Sequence, residues 1–276
     1  MKDVISVSKT YNIVMITLLT ILILVLGTFL IANPKGMFKR EKAKLTLEKT
    51  YSVEEFKNIN IYVKSSDIYV YNSIDNQVKV EMYATKNDKV SSEIQDNDLN
   101  IELRNKRKFC FFCINESNKI KIYLPSEYSN KMNVHATSGD VKLDSFDNMS
   151  LKVKATSGDI TAKNIKDATL KLTSGDVKIN KVNNLNIDVT SGDIEVNKVN
   201  KYLNIEVTSG DIEIDKFNIS KNSYIKATSG DVKIHSVDNV YVNAKVTSGD
   251  IDVNNSDRKA EFELKIKTTS GDISVN

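Results

Sequence analysis

The sequence predicts an all-β protein: a single-stranded β-solenoid (β-helix) with coils of about 17–22 residues, preceded by one N-terminal transmembrane helix. Two observations predict this fold. The tetrapeptide Thr-Ser-Gly-Asp recurs through the second half of the chain, and a run of twenty residues near the N-terminus carries no charge. A repeat of about twenty residues is typical of a solenoid, and about twenty apolar residues can cross a bilayer as a helix.

The uncharged run is residues 13–32, IVMITLLTILILVLGTFLIA, which follows a tail of residues 1–12. As a helix it would be about 30 Å long, the thickness of a bilayer core. A buried core helix and a cleaved signal peptide are the alternatives. The apolar part of a signal peptide is normally shorter and ends in small residues, and Leu30 fits that cleavage pattern poorly. We therefore expect an uncleaved signal anchor.

Residues 33–50 are predicted to be a basic juxtamembrane linker. Residues 1–50 carry a net charge of +5 and the rest of the chain −2, which together give the formal +3. Basic side chains beside a membrane can attract anionic headgroups. The positive-inside rule would leave the C-terminal part in the cytosol, but long domains translocate largely regardless of charge. We expect a single-pass cell-membrane protein with an extracytoplasmic C-terminal domain, and a cytosolic-facing scaffold is the alternative.

Residues 133–276 are predicted to form the regular part of the solenoid. The glycines of the repeat lie 17–22 residues apart and are the predicted structural turn residues: Gly139, Gly158, Gly175, Gly192, Gly210, Gly230, Gly249 and Gly271. Glycine suits such a corner because it adopts positive φ at little cost. A meander of hairpins is the alternative architecture, but it would need a second turn signal midway through each repeat.

Apolar residues alternate on both sides of each corner, which predicts strands with one buried face. Val189 and Val207 precede the corner at odd numbers, whereas Ile194 and Ile212 follow it at even numbers. A straight strand would expose one of these sets, so the chain must bend or bulge at Ser-Gly-Asp. A third apolar residue, such as Val199, often follows three positions later.

Outward charges favour parallel stacking of consecutive coils. If coils stack in chain order, opposite charges become neighbours in five pairs: Lys178/Glu195, Glu213/Lys233, Lys233/Asp252, Lys171/Asp188 and Glu206/Lys226. Glu195/Glu213 is a like-charge exception. Each such pair contributes a few tenths of a kcal/mol, so the pairs set register more than stability. In this order the Ile273–Asn276 strand would lie at one end of the stack.

Residues 51–132 lack the full tetrapeptide but contain a degenerate copy over residues 61–70, with Ser66 in place of the glycine. Period-2 alternation continues through this segment. We interpret it as irregular first coils that cap the solenoid, with room for a hairpin insertion. A separate β domain is the alternative.

The serial Ser-Gly-Asp-[Ile/Val] coils, together with the Lys-Ile-Tyr-Leu-Pro stretch at Lys121–Pro125 and the N-terminal anchor, resemble the bacterial putative-adhesin β-helix family. That family includes membrane-anchored proteins of Lia-type cell-envelope stress systems in Gram-positive bacteria. The resemblance covers roughly residues 50–276. It implies an extracytoplasmic β-helical domain without known catalysis, and it carries no active-site residues over to this chain.

The aspartates of the repeat should form a ladder: Asp140, Asp159, Asp176, Asp193, Asp211, Asp231, Asp250 and Asp272. One hypothesis is a row of cation sites, because Ca²⁺ prefers oxygen ligands and Ca²⁺-binding β-rolls use Gly-x-Asp repeats. The alternative is that each carboxylate caps its own corner and pairs with a lysine.

Cys110 and Cys113 form the sequence Cys-Phe-Phe-Cys. Two cysteines supply only half of the ligands of a tetrahedral zinc site. A thioredoxin-like redox motif would need a surrounding βαβ pattern, which the sequence lacks. A disulfide between the two cysteines is therefore the prediction if the domain is extracellular. The surrounding basic and aromatic residues predict either a membrane- or partner-contacting loop or a strand tip with a buried aromatic side. These residues are Lys106, Arg107, Lys108, Phe109, Phe111 and Phe112.

The near-neutral charge argues against a general nucleic-acid binder. His135 and His235 lie near turns with no nucleophile at a predictive spacing, and no phosphate-loop, zincin or dinucleotide motif occurs. We expect a non-enzymatic surface scaffold for adhesion or envelope stress, with no cofactor and with a protein or cell-wall polymer as partner. The alternative is an envelope-glycan enzyme, which would need two carboxylates about 5–10 Å apart.

Overall fold

The computed structural model describes residues 15–24, 27–28, 42–104 and 118–276. The chain divides into two compact units, one of Met1–Lys42 with Arg107–Glu116 and the other of Ala43–Lys106 with Ser117–Asn276. Residues 15–24 and 27–28 of the first unit are helical. The predicted span 13–32 thus lies partly outside the described residues, and none of the helix within them is both long and apolar enough to cross a membrane.

The second unit is a β structure with one short 3-10 turn, Val53–Glu55, among its described residues. Its strands in chain order are β1 (Lys44–Ser52), β2 (Asn58–Ser73), β3 (Gln77–Ala84), β4 (Lys89–Gln95), β5 (Asp98–Arg104), β6 (Asn118–Pro125), β7 (Lys131–Ser138), β8 (Val141–Leu143), β9 (Phe146–Ser157), β10 (Ile160–Ser174), β11 (Val177–Ser191), β12 (Ile194–Ser209), β13 (Ile212–Asn218), β14 (Ser223–Ser229), β15 (Val232–Ile234), β16 (Val237–Asp238), β17 (Val240–Ser248), β18 (Ile251–Val253), β19 (Phe262–Ser270) and β20 (Ile273–Val275). The structure differs from the predicted linker 33–50, because β1 already begins at Lys44.

The regular coils stack as parallel layers, as predicted for an all-β solenoid. We call the strand segments that end at a Thr-Ser-Gly-Asp corner the upstream sheet and those that begin after it the downstream sheet. In β11 the upstream residues Ile187 and Val189 are buried, and in β12 the downstream residues Ile194 and Val196 are buried. The predicted change of parity at the corner is therefore confirmed.

The third apolar residue of each coil also faces the core. Val182, Val199 and Phe217 are fully buried and are direct partners in consecutive layers. The corner that follows them turns the chain back toward the upstream sheet. Three apolar rows thus enclose the core of each coil, which explains why the repeat needs about twenty residues.

The repeated glycines combine two backbone requirements. All eight have φ between +119° and +147°, a region that other residues rarely adopt. A Cβ added to Gly192 would also lie 2.1 Å from the carbonyl oxygen of Gly175 in the neighbouring layer. The corner of β2 differs, since Ser66 lies there without positive φ and the strand runs continuously from Asn58 to Ser73.

The repeated aspartates link the layers. In each case a carboxylate Oδ1 accepts a hydrogen bond from the backbone N–H of the aspartate in the next layer. The order is Asp67, Asp140, Asp159, Asp176, Asp193, Asp211, Asp231, Asp272 and Asp250, with distances of 2.8–3.1 Å. The carboxylates therefore bond across layers, whereas the sequence suggested bonds within each corner.

The order of the layers differs from the order of the chain at both ends. From one end to the other, the upstream strands follow the order β5, β2, β7, β9, β10, β11, β12, β14, β19, β17. The expectation that Ile273–Asn276 lies at an end is wrong. The last strands, β19 and β20, are inserted between β14–β15 and β17–β18.

The inserted layer is more deeply buried than the outermost layer. Leu264, Ile266 and Ile273 of the inserted layer are no more than 1% exposed. In the outermost layer, Ile251 is 45% exposed and Ala244 is half-buried. Because buried apolar area stabilises the fold in proportion to its extent, the larger side chains gain most from lying between two layers.

The opposite end is capped by antiparallel strands. β3 pairs with β6 and β1 pairs with β3, which extends the downstream sheet, and the β4–β5 hairpin extends the upstream sheet. Asp96 and Asn97 form the two-residue turn of this hairpin with positive φ, as a type I′ turn requires. The described part of the irregular segment lies in the same compact unit as the regular coils.

Ion pairs between layers follow the observed order. Lys178–Glu195 (2.7 Å), Lys171–Asp188 (2.5 Å) and Lys226–Glu206 (3.6 Å) confirm three of the predicted pairs. Glu213 lies opposite Lys233 but bonds to His235. The predicted Lys233/Asp252 pair is wrong, because Ser274 of β20 lies between these two residues.

The hydrogen bonds of the aspartate ladder should contribute to stability, and the ladder offers a matched control. Asp176→Ala removes the acceptor of the Asp193 N–H, so we expect the free energy of unfolding to fall by about 1–2 kcal/mol. Asp250 is the outermost member, and among the described residues its carboxylate accepts no such bond. Asp250→Ala should therefore cost less than about 0.5 kcal/mol. Urea unfolding measures both, and equal losses would contradict the ladder.

The inserted layer can be tested by disulfide formation in a Cys110→Ser/Cys113→Ser background. Ser229 and Ser248 are each direct partners of Ser270. Ser229→Cys/Ser270→Cys should therefore cross-link on mild oxidation. Ser229→Cys/Ser248→Cys should not, because two layers separate these sites by about 9.6 Å, beyond disulfide reach. Non-reducing electrophoresis distinguishes the pairs, and the reverse result would indicate stacking in chain order.

Candidate functional site

The predicted site residues fall into separate places. The repeated glycines and aspartates lie at the corners, where they hold the layers together. Cys110, Cys113 and the contact loop, Lys106, Arg107, Lys108, Phe109, Phe111 and Phe112, lie outside the described residues. His135 belongs to β7 on the upstream sheet, and His235 follows β15 on the downstream sheet. The disulfide, the contact loop and the cation row remain predictions.

A shallow groove of about 570 Å³ lies on the outer face of the upstream sheet. We call it the basic groove. One row along it comprises Glu102, Tyr62, His135, Lys154, Lys171 and Asp188, which are direct partners in consecutive layers. A second row comprises Arg104, Lys64, Thr137, Thr156, Thr173 and Thr190. The strand register therefore places one side chain of each row in every layer.

The groove carries an excess of positive charge. Four permanent cations and two carboxylates line it. Glu102 pairs with Arg104, and Asp188 pairs with Lys171, which leaves Lys64 and Lys154 as the other two cations. Lys64 and Lys154 have no carboxylate partner in the described part of the chain. The positive charge at the centre of the groove is thus not balanced by a carboxylate.

Lys154 and Lys171 are also directly opposite each other in adjacent layers. Two like charges about 4.8 Å apart repel by about 0.9 kcal/mol even in bulk water. His135 lies on the other side of Lys154 and stacks on Tyr62, with ring centroids 5.4 Å apart. The fold therefore holds a row of like charges in register, which an anion in the groove would neutralise.

The two carboxylates of the groove are far apart. Glu102 lies on β5 and Asp188 on β11, with four strands between them in the stack. Five steps of about 4.8 Å separate them by about 24 Å. Paired-carboxylate glycoside hydrolysis requires about 5–10 Å, so the groove does not supply that arrangement.

The second histidine forms a small cluster on the downstream sheet. His235 Nε2 lies 2.7 Å from Glu213 Oε1 and 3.9 Å from Asp215 Oδ1. Because an ionised carboxylate can only accept, Nε2–H donates to Glu213, and this bond lowers the pKa of Glu213. One imidazole and two carboxylates are ligands that a divalent metal could use. All three side chains are well exposed, and such sets are common without an ion.

A third cluster, of charged and aromatic side chains around Glu81 and Tyr83, lies on the downstream sheet near the cap. Burial raises the pKa of Glu81, but hydrogen bonds from Lys79 and Tyr83 outweigh this effect, and the pKa is lowered overall. Lys119 and Lys121 lie 5.0 and 5.2 Å from the Tyr83 ring. The aromatic faces are thus covered by neighbouring side chains, which indicates a role in joining the cap to the coils.

Part of the basic groove could have been found from the sequence. His135, Lys154 and Lys171 occupy the same position of three consecutive repeats, so the like charges of the two lysines are visible once the repeats are aligned. Tyr62 and Lys64 could not be placed, because β2 lacks the glycine that marks the register. The cluster around His235 could not be predicted without knowing which layers are adjacent.

Comparisons with known proteins agree with this fold. The family model Toastrack DUF4097 matches residues 56–276. A putative adhesin from Bacteroides fragilis, known from a crystal structure, is 18% identical, with 84% of this chain and 97% of that chain covered and a TM-score of 0.50. This likeness concerns the fold alone.

Two further crystal structures are similar at lower scores. A putative lipid binding protein from Parabacteroides distasonis is 16% identical, with 86% of this chain and 96% of that chain covered and a TM-score of 0.43. A putative adhesin from Parabacteroides merdae is 12% identical, with 84% and 99% covered and a TM-score of 0.37. A search of the curated proteins finds no match. Since the family model covers most of the chain and its entire repeat region, the chain belongs to the Toastrack DUF4097 family.

Proposed function

We propose that this protein is a non-enzymatic, membrane-anchored scaffold whose extracytoplasmic β-solenoid presents polar faces to a protein or cell-wall polymer, in adhesion or in a Lia-type envelope-stress response. The observation that carries the proposal is the regular stack itself. It holds rows of polar side chains in fixed register on an exposed sheet. A solved structure of similar fold that is named as a putative adhesin supports the same kind of role.

The surface chemistry favours binding over catalysis. The basic groove offers charge and hydroxyl groups along several layers, whereas its two carboxylates lie too far apart for paired acid–base chemistry. A repeated surface suits an extended partner, because each layer can contribute a similar contact.

The exposed apolar helix of the first unit supports the membrane anchor. Residues 15–24 are helical, and the apolar side chains described there are between 50% and 66% exposed, including Leu18, Leu22 and Leu24. A helix that is apolar on every face needs an apolar environment, which a bilayer supplies. The basic residues that follow in sequence suit anionic headgroups.

The location of the solenoid can be tested with the full chain expressed in a Gram-positive host. A C-terminal reporter active only outside the cell should be active, and one fluorescent only in the cytosol should be dark. The protein should also sediment with membranes. Leu19→Lys/Leu22→Lys should release it, because each lysine raises the insertion free energy by about 2.5–3.5 kcal/mol.

Lys216→Gln/Lys233→Gln, outside the predicted span, serves as the matched control and should leave sedimentation unchanged. A fluorescent cytosolic reporter on a membrane-bound protein would contradict the extracytoplasmic role and favour a cytosolic-facing scaffold. A wild-type chain in the soluble fraction would contradict the anchor.

A further inference from the structure

We infer that the basic groove is a binding site for a linear acidic polysaccharide. Its carboxylates would contact Lys64 and the row that contains Lys154 and Lys171 (the lysine row), and its hydroxyls would contact Thr137, Thr156 and Thr173 (the threonine row). The inference deepens the proposed function and rests on it only for the place where the ligand is met. Three features of the groove carry it: uncompensated charge, a hydroxyl row in register, and the spacing of the layers.

The charge identifies an anionic ligand. Lys64 and Lys154 lack carboxylate partners among the described residues, and Lys154 lies between His135 and Lys171 in adjacent layers. Elsewhere on the same outward row, Glu206 balances Lys226 at 3.6 Å. Farther along the row, Lys226, Lys267 and Lys245 form a second run of like charges on a surface outside the groove. Within the groove, the imbalance is relieved when an anion binds.

The hydroxyl row identifies a polyol. Thr137, Thr156 and Thr173 are exposed and lie in successive layers beside the lysine row. Each hydroxyl can both donate and accept a hydrogen bond, which matches the hydroxyls of a sugar. A polyphosphate chain would engage the cations and could accept hydrogen bonds from the threonines, but it has no hydroxyl donor for the threonine oxygens to accept from.

The spacing favours a sugar polymer over an acidic peptide. Layers repeat every ~4.8 Å, and an extended peptide directs charges to one side only every ~6.6 Å, which is two residues. A peptide therefore falls out of step within two layers. A sugar residue in a linear polysaccharide is about as long as one layer. Successive residues are turned about the chain axis, so in a twofold chain a carboxylate returns to the same side every second layer and stays in step with the stack.

Recognition in this groove relies on charge and hydrogen bonds. The Tyr62 and His135 rings stack on each other, so they present mainly their edges to the groove. The ligand would consequently bind weakly at each layer and gain affinity with length. Binding should weaken as salt is added, since exposed charges are screened.

The test uses the full chain in detergent, with polygalacturonate as the probe and isothermal titration calorimetry as the measurement. Lys64→Gln/Lys154→Gln should raise the Kd about tenfold or more. Lys216→Gln/Lys233→Gln removes the same charge from the downstream sheet and should change the Kd less than about twofold. Equal effects of the two variants, or no binding by the wild-type chain, would overturn the inference.

Other polymers separate the ligand classes. Dextran, which is neutral, should not bind, and polyphosphate and poly-glutamate should bind more weakly than polygalacturonate. Thr156→Val/Thr173→Val keeps the strand shape but removes two hydroxyls, so it should weaken polygalacturonate binding by a larger factor than polyphosphate binding. Tighter binding of poly-glutamate or polyphosphate would overturn the polysaccharide assignment. Because the assay uses purified protein, its failure is distinct from a failure of the topology experiment.

Discussion

The whole structure depends on the close approach of backbone to backbone at the Thr-Ser-Gly-Asp corners. At Gly175, Gly192 and Gly210, a Cβ would lie 2.1–2.2 Å from the carbonyl oxygen of the neighbouring layer. The same corners require positive φ, which glycine adopts at least cost. The aspartate that follows then bonds to the next layer's backbone, so each repeat specifies both its own turn and its contact with a neighbour.

This constraint has a functional consequence. Because every corner is locked to the next, outward side chains fall into straight rows with the spacing of a β-sheet. Rows can hold opposite charges together, as in Lys178 and Glu195, or like charges, as in Lys154 and Lys171. The basic groove contains the second arrangement beside a row of threonines.

The sequence predicts the coil but not the order of coils. Period-2 alternation and the recurring glycine identified the buried residues, such as Val189 and Ile194, and the bend between them. The glycine-marked coils share the same corner, however, so the corner does not specify which coil stacks on which, and the position of β19–β20 inside β17–β18 was not predictable from it. For the same reason the groove was only partly predictable, since Tyr62 lies in a strand without the glycine marker.

The most direct test of this account is the stability of Gly192→Ala, measured by urea unfolding beside Ser191→Ala, an exposed neighbour with ordinary φ. Positive φ alone costs an alanine about 1–3 kcal/mol, and the contact with Gly175 adds to it. The account predicts a loss of more than about 2 kcal/mol for Gly192→Ala and less than about 0.5 kcal/mol for Ser191→Ala. Equal and small losses for the two variants would contradict it.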